Sequence, residues 1–140
     1  MTYHGCSYIN EPVQARITNS EQVALEIREL IGSCIDTKEC FCLMTLNGSS
    51  HIIRKEIIHV GTLNQSLVHP REIFRPAILD NSAGIIIAHN HPSKTLEASR
   101  ADIAITTRLK DVGKLVGIEL LDSVIVTELG YYSMSDDGLL

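Results

Sequence analysis

The residues of this chain best suited to chemistry lie in one stretch, Ile85 to Asp102, IIIAHNHPSKTLEASRAD. Its apolar run Ile85-Ile86-Ile87-Ala88 predicts a buried strand, and His89 and His91 follow at i, i+2 where that strand ends. Side chains alternate along an extended backbone, so both imidazoles face the same way. Pro92 stops the strand, a polar loop follows, and Ser99 stands three residues ahead of Asp102 where a helical pattern begins. Two neutral imidazoles and one carboxylate make a three-ligand set for Zn²⁺. The fourth tetrahedral position is left to water, which distinguishes catalytic zinc from closed structural zinc. Ser99-Arg100-Ala101-Asp102 also spells a helix N-terminus with a capping box. The two roles coexist, because a carboxylate in the first turn of a helix is stabilised by the dipole and is also held rigidly for a metal.

A strand and a helix must deliver these groups, and the surrounding sequence predicts both within a mixed α/β domain. Thr18-Asn19-Ser20-Glu21 starts a first helix over 19–32, with Val23, Ile27, Leu30 and Ile31 on one face and Gly32 as its stop. Cys40 to Leu46 reads as a buried strand, Asn47-Gly48 as a hairpin signal, and His51 to Val60 as the return strand. Gly61-Thr62-Leu63-Asn64 reads as a turn. His69-Pro70-Arg71-Glu72 then opens a second helix with Pro70 in the first helical position, kinked or short because Pro76 falls inside it. The central strand spans Gly84 to His89. A long helix over Ser99 to Val116 lays Ile105, Leu109, Val112 and Val116 against a sheet. Ile118 to Leu121, Ser123 to Val126 and Tyr131 to Ser133 supply further strand. Residues 1–16 show no period and read as a loosely held N-terminal arm, which leaves 17–140 as one domain of helices packed on a sheet.

At 140 residues the chain is large enough to bury roughly two-thirds of its unfolded surface. No run of about 18 apolar residues occurs, and MTYHGCSYINEP lacks the profile of a secretory signal, so a cytoplasmic protein is expected. Cys6, Cys34, Cys40 and Cys42 include no Cys-x2-Cys pair and read as free thiols, those in the apolar run being buried. A net charge of −5 opposes nonspecific nucleic-acid binding, which rests on neutralised phosphates. Arg100, Arg108, Lys110 and Lys114 form a basic stripe on the long helix, and a solvated face is its expected role.

The spelling His-x-His-Pro-x6-Ser-x2-Asp resembles the metal-binding motif of the JAMM/MPN metallopeptidases. Gly61-Thr62-Leu63-Asn64, His69 to Phe74 and Gly117 to Asp122 are similar to the RadC branch, and the resemblance runs from about Thr18 to Leu140. It implies an MPN domain of cytidine-deaminase-like α/β fold, a mixed sheet flanked by helices, and a zinc hydrolase acting on a peptide or isopeptide bond of a peptide or protein substrate. It also implies that Ser99 stabilises the tetrahedral intermediate and that a glutamate on a strand upstream of the histidines is the general base. Glu56, the only acidic residue between Glu39 and Glu72, in an Ile-rich strand, is matched to that role. The family carries an old association with DNA repair. Two departures stand out: Lys94-Thr95-Leu96 replaces the usual Gly-Asp-Pro, and Ser123 replaces the usual His after Leu-Leu-Asp. The helix-hairpin-helix segment of full-length RadC proteins is not seen ahead of the domain.

Two other classes compete. A nucleobase deaminase shares the expected fold but needs His-x-Glu and Pro-Cys-x2-Cys, and neither spelling occurs. A non-catalytic MPN module, or an accessory factor in DNA processing, would keep the shape without the chemistry. The complete ligand set argues against it, and the altered 94–96 loop argues for it.

Overall fold

The computed structural model describes residues 15–62 and 68–140. Five strands form one mixed sheet in the order β2-β1-β3-β4-β5. They are β1 (Cys40–Leu46), β2 (Ile52–Val60), β3 (Gly84–Asn90), β4 (Glu119–Val126) and β5 (Tyr131–Ser133). Only β3 and β4 run parallel. The helices are α1 (Ser20–Ile31), α2 (Pro70–Leu79) and α3 (Arg100–Val116), and α3 is the crossover that joins the parallel pair.

The sheet is buried on both faces, which is why β1 and β3 read as continuous apolar runs rather than as alternating ones. Alternate residues of those runs serve different layers. Cys40, Cys42, Met44, Ile86 and Ala88 pack with Val23, Ala24 and Ile27 of α1. Phe41, Leu43, Ile85 and Ile87 pack with Ile73, Phe74 and Ala77 of α2 and with Ile105 and Leu109 of α3. The α/β class and the helix-flanked mixed sheet expected from the sequence are both present.

Several boundaries shift for identifiable reasons. The N-cap of α1 is Asn19, whose side chain accepts from Gln22 N, while Gln22 Oε1 accepts from Thr18 N at 2.6 Å, so the cap sits one residue later than Thr18 and Glu21 suggest and is not a reciprocal box. The β1–β2 turn is longer than a two-residue Asn-Gly turn. Asn47 Oδ1 accepts from Ser49 N and His51 N, and the left-handed residue is Ser50 at φ 64°, not Gly48. Bulges shift the β1–β2 register between Phe41 and Cys42 and between Thr45 and Leu46, which breaks the side-chain alternation of β2. The two segments expected at 118–126 are one strand, whose extra residue Leu121 is skipped in the pairing with β3. Helix α2 has ten residues with Pro76 inside it, short as expected.

On α3 the buried stripe is Asp102, Ile105, Thr106, Leu109 and Gly113. Val116, expected on that face, is 44% exposed, because Gly113 takes the contact with the chain at Ile118 and Gly117 ends the helix in the left-handed conformation. Cys34, Cys40 and Cys42 are free, the last two buried; Cys6 lies outside the described residues. Leu63 and Asn64 of the expected turn, and residues 1–14 of the expected arm, lie outside them also. Arg16 forms a bridge with His51, and Ile17 N donates to Ser50 O.

Candidate metal centre

The end of β3 and the start of α3 meet on the α2/α3 face of the sheet. His89 continues the Ile85, Ile87 row, stacks its ring against Phe41 of β1, and is 2% exposed. His91 leaves the strand on the same side, its N–H donating to Val126 O. Asp102, 4% exposed, is brought beneath them by its capping box. Ser99 Oγ accepts from Asp102 N at 3.0 Å, and Asp102 Oδ2 accepts from Ser99 N at 2.8 Å. Thr106 Oγ1 donates to the Asp102 carbonyl and shares a hydrogen bond with Ser123 Oγ, which ties this turn of α3 to β4.

The three side chains converge. His89 Nε2 lies 3.0 Å from His91 Nε2 and 3.0 Å from Asp102 Oδ1, and His91 Nε2 lies 3.3 Å from Asp102 Oδ2. Ligands about 2.0–2.1 Å from a tetrahedral zinc stand roughly 3.3 Å apart, so the donor spacing fits the ion to within a few tenths of an ångström. His91 Nδ1 faces the Thr95 carbonyl at 2.8 Å. A proton held there leaves the Nε2 lone pair for the centre, the arrangement that orients a metal-binding imidazole.

The charge state of Asp102 agrees with that chemistry, while at His91 a proton competes for the same site. Burial opposes ionisation of Asp102, yet hydrogen bonds from His89 and His91, the nearby His89 and the Ser99 N–H outweigh it and hold the carboxyl well below the usual range. The hydrogen bond to Asp102 raises the His91 pKa against its own burial, with smaller contributions from the Thr95 carbonyl and from Glu39. Ser99, an exposed residue, is the N-cap its spelling predicts, its hydroxyl accepting from Asp102 N.

Glu56 is placed differently from the triad. Its carboxylate takes Arg54 Nη1 at 2.9 Å, and Arg54 grips Asp80 through Nε at 2.7 Å and Nη2 at 2.9 Å. Arg54 and Glu56 line a hollow of about 520 Å³ against α2, shared with Arg71, Arg75, Pro76 and Leu79. The bonds described for Glu56 lead to Arg54 and not to the histidines. The carboxylate beside the triad is Glu39, which lines a hollow of about 610 Å³ with Lys38, Gly61, Thr62, His91, Pro92 and Ser93. Sequence reasoning passed over Glu39 because it looks like the polar edge of a strand. Its place follows only from β1 running antiparallel to β3 with Phe41 opposite His89, so that the start of β1 reaches the end of β3.

Residues 17–139 match the family model described as the RadC-like JAB domain. The chain belongs to that family. It is 48% identical over 103 residues to a UPF0758 protein of Rubrobacter xylanophilus, covering 74% of this chain and 45% of that one. It is 42% identical over 132 residues to a UPF0758 protein of Clostridium perfringens, covering 94% and 57%. The RadC-like domain thus spans about half the length of the curated relatives it matches. Lys94 has a left-handed backbone at φ 68°, and its Nζ lies 3.7 Å from Glu128 Oε2. The loop presents the Thr95 carbonyl to His91. Among the described residues no helix is long and apolar enough to cross a membrane.

Proposed function

We propose that the RadC-like domain is a zinc-dependent hydrolase of a peptide or isopeptide bond. The observation that carries this reading is the convergence of His89, His91 and Asp102, with His91 turned by Thr95 so that Nε2 faces the centre, at the edge of an open hollow. Zinc, when bound, supplies a Lewis acid and a water acidic enough to ionise near neutral pH. His89, His91 and Asp102 hold it. Glu39 accepts the proton of the attacking water and returns it to the leaving amine, since it is the carboxylate that shares the hollow with His91. Ser99 keeps its backbone and side-chain bonds to Asp102 and turns its hydroxyl hydrogen toward the developing oxyanion. Glu56, which the sequence suggested as the base, is assigned instead to holding Arg54 at the hollow beside α2.

Zinc analysis of wild type and of the His89→Ala, His91→Ala double variant, combined with hydrolysis of isopeptide-linked peptide libraries by wild type, Glu39→Gln and Glu56→Gln, tests the assignment. Stoichiometric zinc is expected in wild type and in both glutamate variants, and negligible zinc in the double variant. Glu39→Gln should lose about 10²–10⁴-fold in rate, the range of a general base, while Glu56→Gln stays near wild type. Equal and negligible zinc in every protein after remetallation would refute the metal centre. The opposite ranking of the two glutamates would return the base to Glu56.

A further inference from the structure

Asn90 stands between the two histidines, and its side chain points to the opposite face of the sheet. It has 0% exposure and three short hydrogen bonds, all to one segment of chain. Cys40 N donates to Asn90 Oδ1 at 2.7 Å, and Asn90 Nδ2 donates to the carbonyls of Ile35 and Lys38, each at 2.7 Å. The Lys38 carbonyl and the Cys40 N–H belong to the two peptide units that flank Glu39. Both units are therefore bonded to one side chain of the strand that carries the metal ligands. Gly61 N, just past the end of β2, donates to the Glu39 carbonyl at 2.8 Å and secures the same residue from that side.

We propose that Asn90 is a positioning residue: by clamping the peptide units on both sides of Glu39 to β3, it fixes the Glu39 carboxylate relative to His89 and His91. This rests on the reading of Glu39 as the proton carrier. The chemistry needs an amide. One acceptor must meet the Cys40 N–H while two donors meet two carbonyls, a set that Asn provides, whereas Ser or Thr has one donor and an ionised Asp has none. The strand alternation makes the coupling direct. Two successive residues of β3 face opposite layers, one holding the ion and the next holding the loop that carries the base.

The test uses Co²⁺ in place of zinc and reads the pH midpoint of the visible absorption change, which responds to a carboxylate near the metal without any substrate. Wild type, Glu39→Gln, Asn90→Ala, Asn90→Ser and the Asn90→Ala, Glu39→Gln double variant are compared. Cobalt content is measured in parallel. Removing the Glu39 charge should lower the midpoint by about one pH unit. Asn90→Ala should lower it by the same amount at undiminished cobalt content, Asn90→Ser by less, and the double variant should match Asn90→Ala. If Asn90→Ala does not fold, Asn90→Ser, which keeps one donor and one acceptor, decides by whether it shifts the midpoint. Wild-type midpoints in the Asn90 variants beside a shifted Glu39→Gln would overturn the positioning role and leave the Glu39 reading standing. An unshifted Glu39→Gln would overturn the Glu39 reading, and the role of Asn90 with it.

Discussion

Removal of the metal should weaken the domain without unfolding it. The elements that deliver the ligands are held by apolar contacts that need no ion: Ile85 and Ile87 of β3 are 0% and 1% exposed, and Ile105 and Leu109 of α3 are 3% and 1% exposed. At about 1.5–3 kcal/mol for each fully buried side chain, these four contribute about 6–12 kcal/mol to keeping β3 and α3 together. Zinc at a hundred times its dissociation constant adds about 2.7 kcal/mol by mass action. For a domain of this size each kcal/mol moves the midpoint by about 3–4 °C, so zinc should raise Tm by about 8–11 °C. A structural zinc would instead supply about 10–16 kcal/mol, as much as the whole net stability of an ordinary domain, and its loss would leave the chain unfolded. Circular dichroism melts with zinc and with a chelator separate the two, and the His89→Ala, His91→Ala variant should melt alike in both. A chelated wild-type protein with no cooperative transition would refute the reasoning.

Protons and zinc compete for the same imidazole. Because the His91 pKa is raised, apparent zinc affinity, measured by competition with a fluorescent chelator, should fall about tenfold for each pH unit below that pKa. In the metal-free protein the raised His91 pKa gives stability that is present below the ordinary histidine value of 6.5 and lost as pH rises through the folded value. The depressed Asp102 pKa gives stability that is present above the ordinary 3.8 and lost as pH falls toward the folded value. Urea midpoints of the metal-free protein should therefore be favoured by this pair between those two ordinary values, and a Asp102→Asn variant should lose that advantage. Gly113→Ala should cost about 1–3 kcal/mol in urea unfolding, because a Cβ there runs into the Ile118 carbonyl oxygen and forces α3 off β4. Unchanged stability in that variant would show that the helix end yields freely.

The cluster of His89, His91 and Asp102 was legible in the sequence because each part of it is local. His89 and His91 are two apart on one strand, and Ser99 and Asp102 are three apart at one helix start, so the strand period and the capping box place them without reference to the rest of the chain. The apolar runs likewise disclosed β1, β3 and α3, and the Pro70 start disclosed α2. The carboxylate that shares a hollow with His91 was not legible. Glu39 and Glu56 are both acidic residues near strands, and nothing local distinguishes them. Strand order and register separate them: β1 lies between β2 and β3 and its first residues reach the end of β3, while Glu56 and Arg54, two apart in the regular part of β2, meet on the face toward α2. The same holds for Asn90, which reads as a spacer between histidines until the loop 35–40, some fifty residues upstream, is folded against it. Side-chain period and capping are properties of neighbouring residues. Which carboxylate meets a metal is a property of pairing between strands far apart in the chain, and only the closed sheet decides it.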